Sequence, residues 1–368
     1  MNLPFLARAT SPRAPHSLSL RERARVRDVG LLLASLLLLT ACHGRGPAAD
    51  PLTDASNPNS FQERWPAAPE PARIGLRTTF GSPSDLGMRS PALQRIAGWI
   101  TGNQPDKERL IRPCGVAIDE QGVICITDTG SGKFWCLNPK AGEFHIWDKI
   151  GPHQLRSPVA IVRSQGVNYL ADSALGKVLA FTDNKHLQFE VSDSLARPSG
   201  LAVDRQELFV VDSANHRVDV FDLGGRPLRR LGRRGVQPGE FNFPTHIAVD
   251  PAGRLLVTDA LNGRVQVLER DGRPVRVISS LGDSSGHLSR PKGIAVDPKG
   301  HVYVADALFD NFQVFDGDGR FLLPVGRTGK RPGEFWLPTG VAVSGQRILV
   351  ADSYNQRVQV FEYVAAPL

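Results

Sequence analysis

The sequence predicts an all-β fold, a six-bladed β-propeller of four-stranded blades closed by an N-terminal strand, and three observations carry that reading. One pattern recurs six times, starting at Pro113, Pro158, Pro198, Pro244, Pro291 and Pro338, at spacings of 40 to 47 residues. Each copy runs Pro, any residue, usually Gly, an aliphatic, Ala, an aliphatic and usually Asp, then a turn, a second apolar run ending in Asp, and a third apolar run. The runs are short, rich in β-branched residues and broken by turn residues, which is strand and hairpin chemistry; no helical period fits them. Units of this length with two apolar faces bury both only when sandwiched between neighbours, so the repeats are expected to stack radially.

Three copies show the agreement: RPSGLAVDRQELFVVDSANHRVDVFD from Arg197, RPKGIAVDPKGHVYVADALFDNFQVFD from Arg290 and LPTGVAVSGQRILVADSYNQRVQVFE from Leu337. In these residues the chain resembles the NHL-repeat family over about residues 112–363, and the resemblance implies a six-bladed propeller. One copy alone would be a weak signal; six that agree in spacing and residue type are specific.

A ring must close, and the last copy has too little chain left to do so. After it only residues 363–368 remain, whereas an inner blade continues into an outer strand such as the segment 226–235. The segment 72–87 reads like those outer strands, so Ile74–Phe80 is expected to join the sixth blade and remove an open sheet edge. Between it and Pro113 lies a long link carrying one helix, inserted at about 88–104. Ser90 suits the cap, Pro91 the first helical position and Gly102 the stop, while Leu93, Ile96, Ala97 and Ile100 share a face. Trp99 is expected beside the central channel as a lid.

The N-terminus reads as an export signal over 1–41. An uninterrupted run of apolar and small residues, 29–39, follows Arg21, Arg23, Arg25 and Arg27 and is too short to span a bilayer. Leu39-Thr40-Ala41-Cys42 resembles the bacterial lipobox, whose cysteine is lipidated and becomes the first residue of the mature chain; an ordinary signal with an incidental cysteine is the other reading. His43 stands where, in lipoproteins, an aspartate favours inner-membrane retention, so the resemblance implies the outer membrane of a Gram-negative cell. Residues 42–72 are rich in Pro, Ala, Asn and Ser and read as a disordered tether leading to a propeller domain over 73–368.

The basic balance shrinks once the signal is set aside. The chain has 44 Lys plus Arg against 37 Asp plus Glu, but residues 1–41 hold six Arg and two acids, which leaves 38 basic against 35 acidic side chains, a net charge of +3. A nucleic-acid partner is not expected. Three cysteines lie beyond Cys42, namely Cys114, Cys125 and Cys136, all in the first blade. A hairpin near Gly130-Ser131 sets Cys125 opposite Cys136, so either a cross-strand disulfide forms or the thiols are small buried apolar groups. Neither a zinc-ligand spacing nor a Cys-x-x-Cys-His is present.

Propeller geometry places the turns between second and third strands on the same face as the links into each blade. Function is sought there. Five second-strand aspartates are followed five residues later by a base, as in Asp128 and Lys133, Asp172 and Lys177, Asp212 and Arg217, Asp259 and Arg264, and Asp352 and Arg357. Such repetition reads as structural stapling, as does Pro-Gly-Glu-Phe at 238–241 and 332–335. Departures from the repeat are more telling. His246 replaces a small residue near the channel mouth, and Arg112, Arg197 and Arg290 precede three motif prolines, with Lys292 close by. These suit an anionic ligand, or else the arginines point outward and His246 fills space. Leu308 and Phe309 stand where other turns are polar, and Tyr354 and Leu261 share their rim, which suits a partner contact or packing under a link.

Two functions follow. The first is a lipid-anchored, monomeric envelope module that binds or scaffolds an envelope protein or a small anionic ligand, with no cofactor and no catalytic residue assigned. The second is a channel-sited metal-dependent lyase or hydrolase resembling the peptide-amidating lyases, which share this architecture and hold zinc with several channel histidines. Only His246 occupies a matching register here, and no metal site is assigned.

Overall fold

The computed structural model describes residues 52, 60–89, 108–192, 195–204 and 206–364. The export signal with Cys42, the expected helix and Trp99 lie outside them. The described chain belongs to a single unit within 48–368.

Six antiparallel sheets follow one another along the chain. Blade 1 comprises Pro113–Ile118, Ile124–Asp128, Lys133–Asn138 and Glu143–Trp147; blade 2 comprises Pro158–Ser164, Val167–Asp172, Lys177–Thr182 and Leu187–Val191. Blades 3, 4 and 5 repeat the arrangement from Pro198–Val203, Pro244–Val249 and Pro291–Val296 as innermost strands. Each innermost strand packs beside the next, and that of blade 6, Pro338–Ser344, packs beside that of blade 1, so the ring is closed.

Closure uses the expected segment. Ile74–Phe80 pairs antiparallel with the last strand, Arg357–Tyr363, from Ile74 opposite Tyr363 to Phe80 opposite Val358. A fifth strand, Glu63–Trp65, adds outside it. Order therefore begins before residue 73: part of the expected tether pairs into the sheet, and Leu52 packs into the apolar cluster between blades 6 and 1. The physical reason is that Leu52, Phe61 and Trp65 supply apolar groups that a Pro-rich composition hides. Phe61 lies against Gly75, and Trp65 packs edge-on to Phe361 at 5.6 Å.

The core is six separate clusters, one between each pair of adjacent blades. Alternate residues of a strand feed the two clusters on either side of its sheet, as with Leu208 and Val210 against Phe209 and Val211. Each fully buried Val, Leu or Phe contributes about 1.5–3 kcal/mol.

Backbone groups at the blade tips are satisfied by one residue per blade. Asp128, Asp172, Asp212, Asp259, Asp306 and Asp352, each ending a second strand, are all 0% exposed. Every one accepts from main-chain N–H groups of the link entering its own blade: Ile111 and Arg112 on Asp128 at 2.8 and 2.7 Å, Ala196 and Arg197 on Asp212 at 2.9 Å, Ser289 on Asp306 at 2.6 Å. Arg156 binds Asp172, Asn242 binds Asp259 and Trp336 binds Asp352 in the same way. The stapling expectation holds for the aspartates but for only two of their five basic partners. Only Arg264 and Arg357 pair with them, each at 2.8 Å; Lys133 goes to Glu108, Lys177 to Glu190 and Arg217 to Asp219. A carboxylate already filled by amide donors has little left to offer a cation.

The Pro-Gly-Glu-Phe links are clamped by glutamines. Gln266 accepts from Gly239 N–H at 2.8 Å and donates to Glu240 C=O at 2.6 Å; Gln359 does the same for Gly333 and Glu334 at 2.9 and 2.7 Å. Phe241 and Phe335 are thereby fully buried between blades. At the opposite tips, turns such as that around Asp250 need a glycine, since Gly253 sits at φ +82.

Two substitutions test this architecture. Asp306→Ala strands the amides of Ser289, Arg290 and Leu308 and is expected to cost about 3 kcal/mol in urea unfolding, with Asp306→Asn milder. Leu76→Ala, in the closing strand, should cost about 2–5 kcal/mol; a loss no larger than that of a surface change would show that blade 6 folds without it.

Candidate functional site

Where the six inner strands meet, neighbouring backbones come very close. A Cβ on Gly200 would lie 2.6 Å from His246 Cα, one on Gly293 2.3 Å from Thr339 O and one on Gly340 2.4 Å from Cys114 O. The glycine two places after Pro198, Pro291 and Pro338 is therefore required by the adjacent blade. Hydroxyls stitch the same strands together: Ser199 Oγ donates to Thr245 C=O at 3.0 Å, Thr258 Oγ1 to Lys292 C=O at 2.9 Å and Thr339 Oγ1 to Cys114 C=O at 3.0 Å.

Lys292 and His246 stand out against this self-satisfied ring. They occupy adjacent strands that share one hydroxyl, since Thr258 Oγ1 also accepts the His246 N–H at 2.8 Å. Both His246 ring nitrogens are buried without a hydrogen-bond partner among the described residues. Burial, with a smaller effect from Lys292, lowers the imidazole pKa to about 3, so the ring is neutral at physiological pH. Burial also lowers the Lys292 pKa; Arg290 and Arg197 act on it in the same direction. Cys114, on the other flank, is pushed up to about 11 by burial and stays a thiol. Lys292 thus lies within electrostatic reach of Arg197, Arg290 and Cys114, and His246 within reach of Lys292. Sequence reading missed Cys114 as a member, although its place one residue after a motif proline, like that of Lys292, was visible.

Arg112 belongs elsewhere. Its guanidinium lies over the Tyr354 ring at 5.1 Å, Tyr354 packs on Trp336 at 5.6 Å, and Lys330 lies over Trp336 at 5.2 Å. This ladder sits on the face of links and second turns, which the bond from Tyr354 N–H to Trp336 C=O, 3.1 Å, holds together. Leu308 is 56% exposed, Tyr354 44% and Trp336 41%; Leu261 and Ile111 are exposed as well, and Phe309 is half-buried. Trp336 carries no repeat signal, because the residue at this place varies from blade to blade.

Cys125 and Cys136 face each other as expected, but both are free thiols with Sγ atoms 3.7 Å apart. Cys125 also reaches Asn168 Oδ1 at 3.6 Å, and both are buried in the cluster between blades 1 and 2. The bond to Cys136, and burial after it, raise the Cys125 pKa. Among the described residues no three His, Cys, Asp or Glu side chains come together as metal ligands would. His216 is structural: its Nδ1 accepts the Phe243 N–H at 3.1 Å. His301 bonds to buried Asp297 at 2.8 Å.

Comparison with known proteins gives the same architecture. The NHL repeat matches residues 195–221, 241–268, 288–315 and 335–361. Among solved structures, the chain is similar to virginiamycin B lyase from Staphylococcus aureus, with 13% identity, a TM-score of 0.52 and coverage of 68% of this chain and 95% of that one. It is also similar to a gluconolactonase from Xanthomonas campestris, with 17% identity, a TM-score of 0.53 and coverage of 69% and 86%. A Bacteroides thetaiotaomicron protein of unknown function gives 13% identity, a TM-score of 0.58 and coverage of 79% and 76%. At these identities the likeness is one of fold.

The buried cation has a measurable signature. Between its depressed folded-state pKa and the ordinary 10.5, the unfolded chain binds the proton that the folded chain has released, so Lys292 adds stability as pH rises through that window. Lys292→Met is expected to unfold at higher urea than the parent at neutral pH, with the gap closing toward pH 10.5. A gap that widens with pH would contradict the burial of an unpaired charge.

Proposed function

The chain belongs to the NHL-repeat β-propellers, and from that premise we propose that it is a lipid-anchored binding module of the bacterial cell envelope that docks an envelope protein on its link-and-turn face. The observation that carries this reading is the aromatic and apolar rim of Trp336, Tyr354, Ile111, Leu261 and Leu308, exposed on a face whose frame is otherwise fixed by buried aspartates. Exposed aromatic groups flanked by Arg112 and Lys330 have the composition of protein-contact hot spots, where a few Trp, Tyr and Arg residues supply most of the binding energy. The rigid ring supports the role, because residues held by a closed frame lose little freedom on binding.

Anchorage rests on the lipobox-like Leu39-Thr40-Ala41-Cys42, and His43 favours the outer membrane of a Gram-negative cell. The alternative, a metal-dependent lyase or hydrolase, draws on fold likeness alone; fold does not fix chemistry, and among the described residues no set of metal ligands gathers around His246.

Three measurements separate these readings. Cys42→Ala should abolish labelling by a radioactive fatty acid and move the protein out of the membrane fraction. Leu308→Asp with Tyr354→Asp should remove the partner recovered by cross-linking in intact cells while leaving the melting temperature unchanged; undiminished recovery would refute the docking face. Stoichiometric zinc or calcium in the purified protein, lost on His246→Ala, would transfer support to the enzyme.

A further inference from the structure

The unpartnered groups at the inner strands call for a counterpart that the described residues do not supply. We propose that Lys292, with Arg197 and Arg290 around it and His246 beside it, forms a binding site for the oxyanion end of a small ligand, a carboxylate or a phosphate. The inference is independent of the partner reading, since it uses the inner ring and not the aromatic rim.

Placement comes first. Lys292 and His246 lie on neighbouring inner strands joined through the Thr258 hydroxyl. Arg290 and Lys292 flank the motif proline Pro291, and Arg197 holds the same place before Pro198 in blade 3. Both arginine side chains are exposed on the link face while Lys292 is partly buried, so the positive groups run from the surface inward.

No internal anion among the described residues answers them. Among the described residues Lys292, Arg197 and Arg290 form no ion pair, although most arginines of blades 3 and 4 do, for example Arg229 with Glu207, Arg254 with Asp250 and Arg264 with Asp259. Asp128, which acts electrostatically on Cys114, is filled by the amides of Ile111, Arg112 and Gly130. Asp306, which ends the second strand beside Lys292, is filled by Ser289, Arg290 and Leu308. Cys114 stays protonated and offers no charge. The ring hydroxyls of Ser199, Thr258 and Thr339 are committed to carbonyls.

A partly buried cation without a counter-ion carries a desolvation cost, and two buried ring nitrogens without partners add to it. An oxyanion relieves these defects together. It gives Lys292 an ion pair and reaches the forked donors of Arg197 and Arg290. The neutral His246 contributes one N–H donor and one acceptor, the acceptor fitting a ligand hydroxyl near the anion.

The test is isothermal titration calorimetry on the full chain with inorganic phosphate and, separately, with succinate, at ionic strength held constant with chloride. Saturable binding of either anion is expected, and the one that binds assigns the ligand class. Lys292→Met and the double change Arg197→Ala with Arg290→Ala should each weaken it at least about tenfold, with the Lys292→Met protein melting no lower than the parent. Arg112→Ala, in the aromatic rim, should bind as the parent does. Absence of saturable heat with both anions in the parent, or unchanged affinity in Lys292→Met, would overturn the site.

Discussion

The buried aspartate that closes each second strand is the constraint on which the ring depends. A propeller link must cross a blade tip with its amides pointing inward, where water cannot reach them. One carboxylate per blade takes up those amides and, in blades 1, 2 and 5, those of the following turn too. With two oxygens it accepts several amides at once, which a single carbonyl cannot do as readily. Link, turn and inner strand thereby become one rigid unit, and six such units fix the spacing of everything on that face.

This rigidity explains why departures from the repeat carry the functional signal. In a frame where hydroxyls, glutamines and aspartates are nearly all satisfied, an unpaired Lys292 and an unpartnered His246 are conspicuous. The same argument demotes other polar groups. Arg163 is held by Asp119 at 2.8 Å and by Asp183, and Tyr303 and Tyr363 close on Asp297; both arrangements tie neighbouring blades together at the opposite tips. They are joints. Cys125 and Cys136 likewise fill the gap between blades 1 and 2, where a larger residue would have to displace Phe134 or Phe181.

The two surfaces have distinct physics. The rim of Trp336, Tyr354, Leu308 and Ile111 offers apolar area with cations stacked on rings, which suits a broad protein contact. The inner site offers positive charge running from the exposed Arg197 and Arg290 to the partly buried Lys292, which suits a compact anion. Arg112 and Arg197 hold equivalent places in the repeat, but Tyr354 of blade 6 captures the first guanidinium, and among the described residues no ring takes the second.

By itself the sequence determined the all-β ring, the number of blades, the closing strand Ile74–Phe80 and the pairing of Cys125 with Cys136, because each is written in period, alternation and turn residues, which are local properties. It also exposed His246 as a break in a pattern, with Lys292 close by. Only the tertiary structure decided that the aspartates bind amides in preference to the bases five residues on, that the segment before residue 73 pairs into blade 6, and that Arg112 leaves the cationic group for an aromatic ladder. Those outcomes depend on which groups from distant blades compete for the same donor or ring, and competition of that kind has no counterpart in the order of residues along a chain.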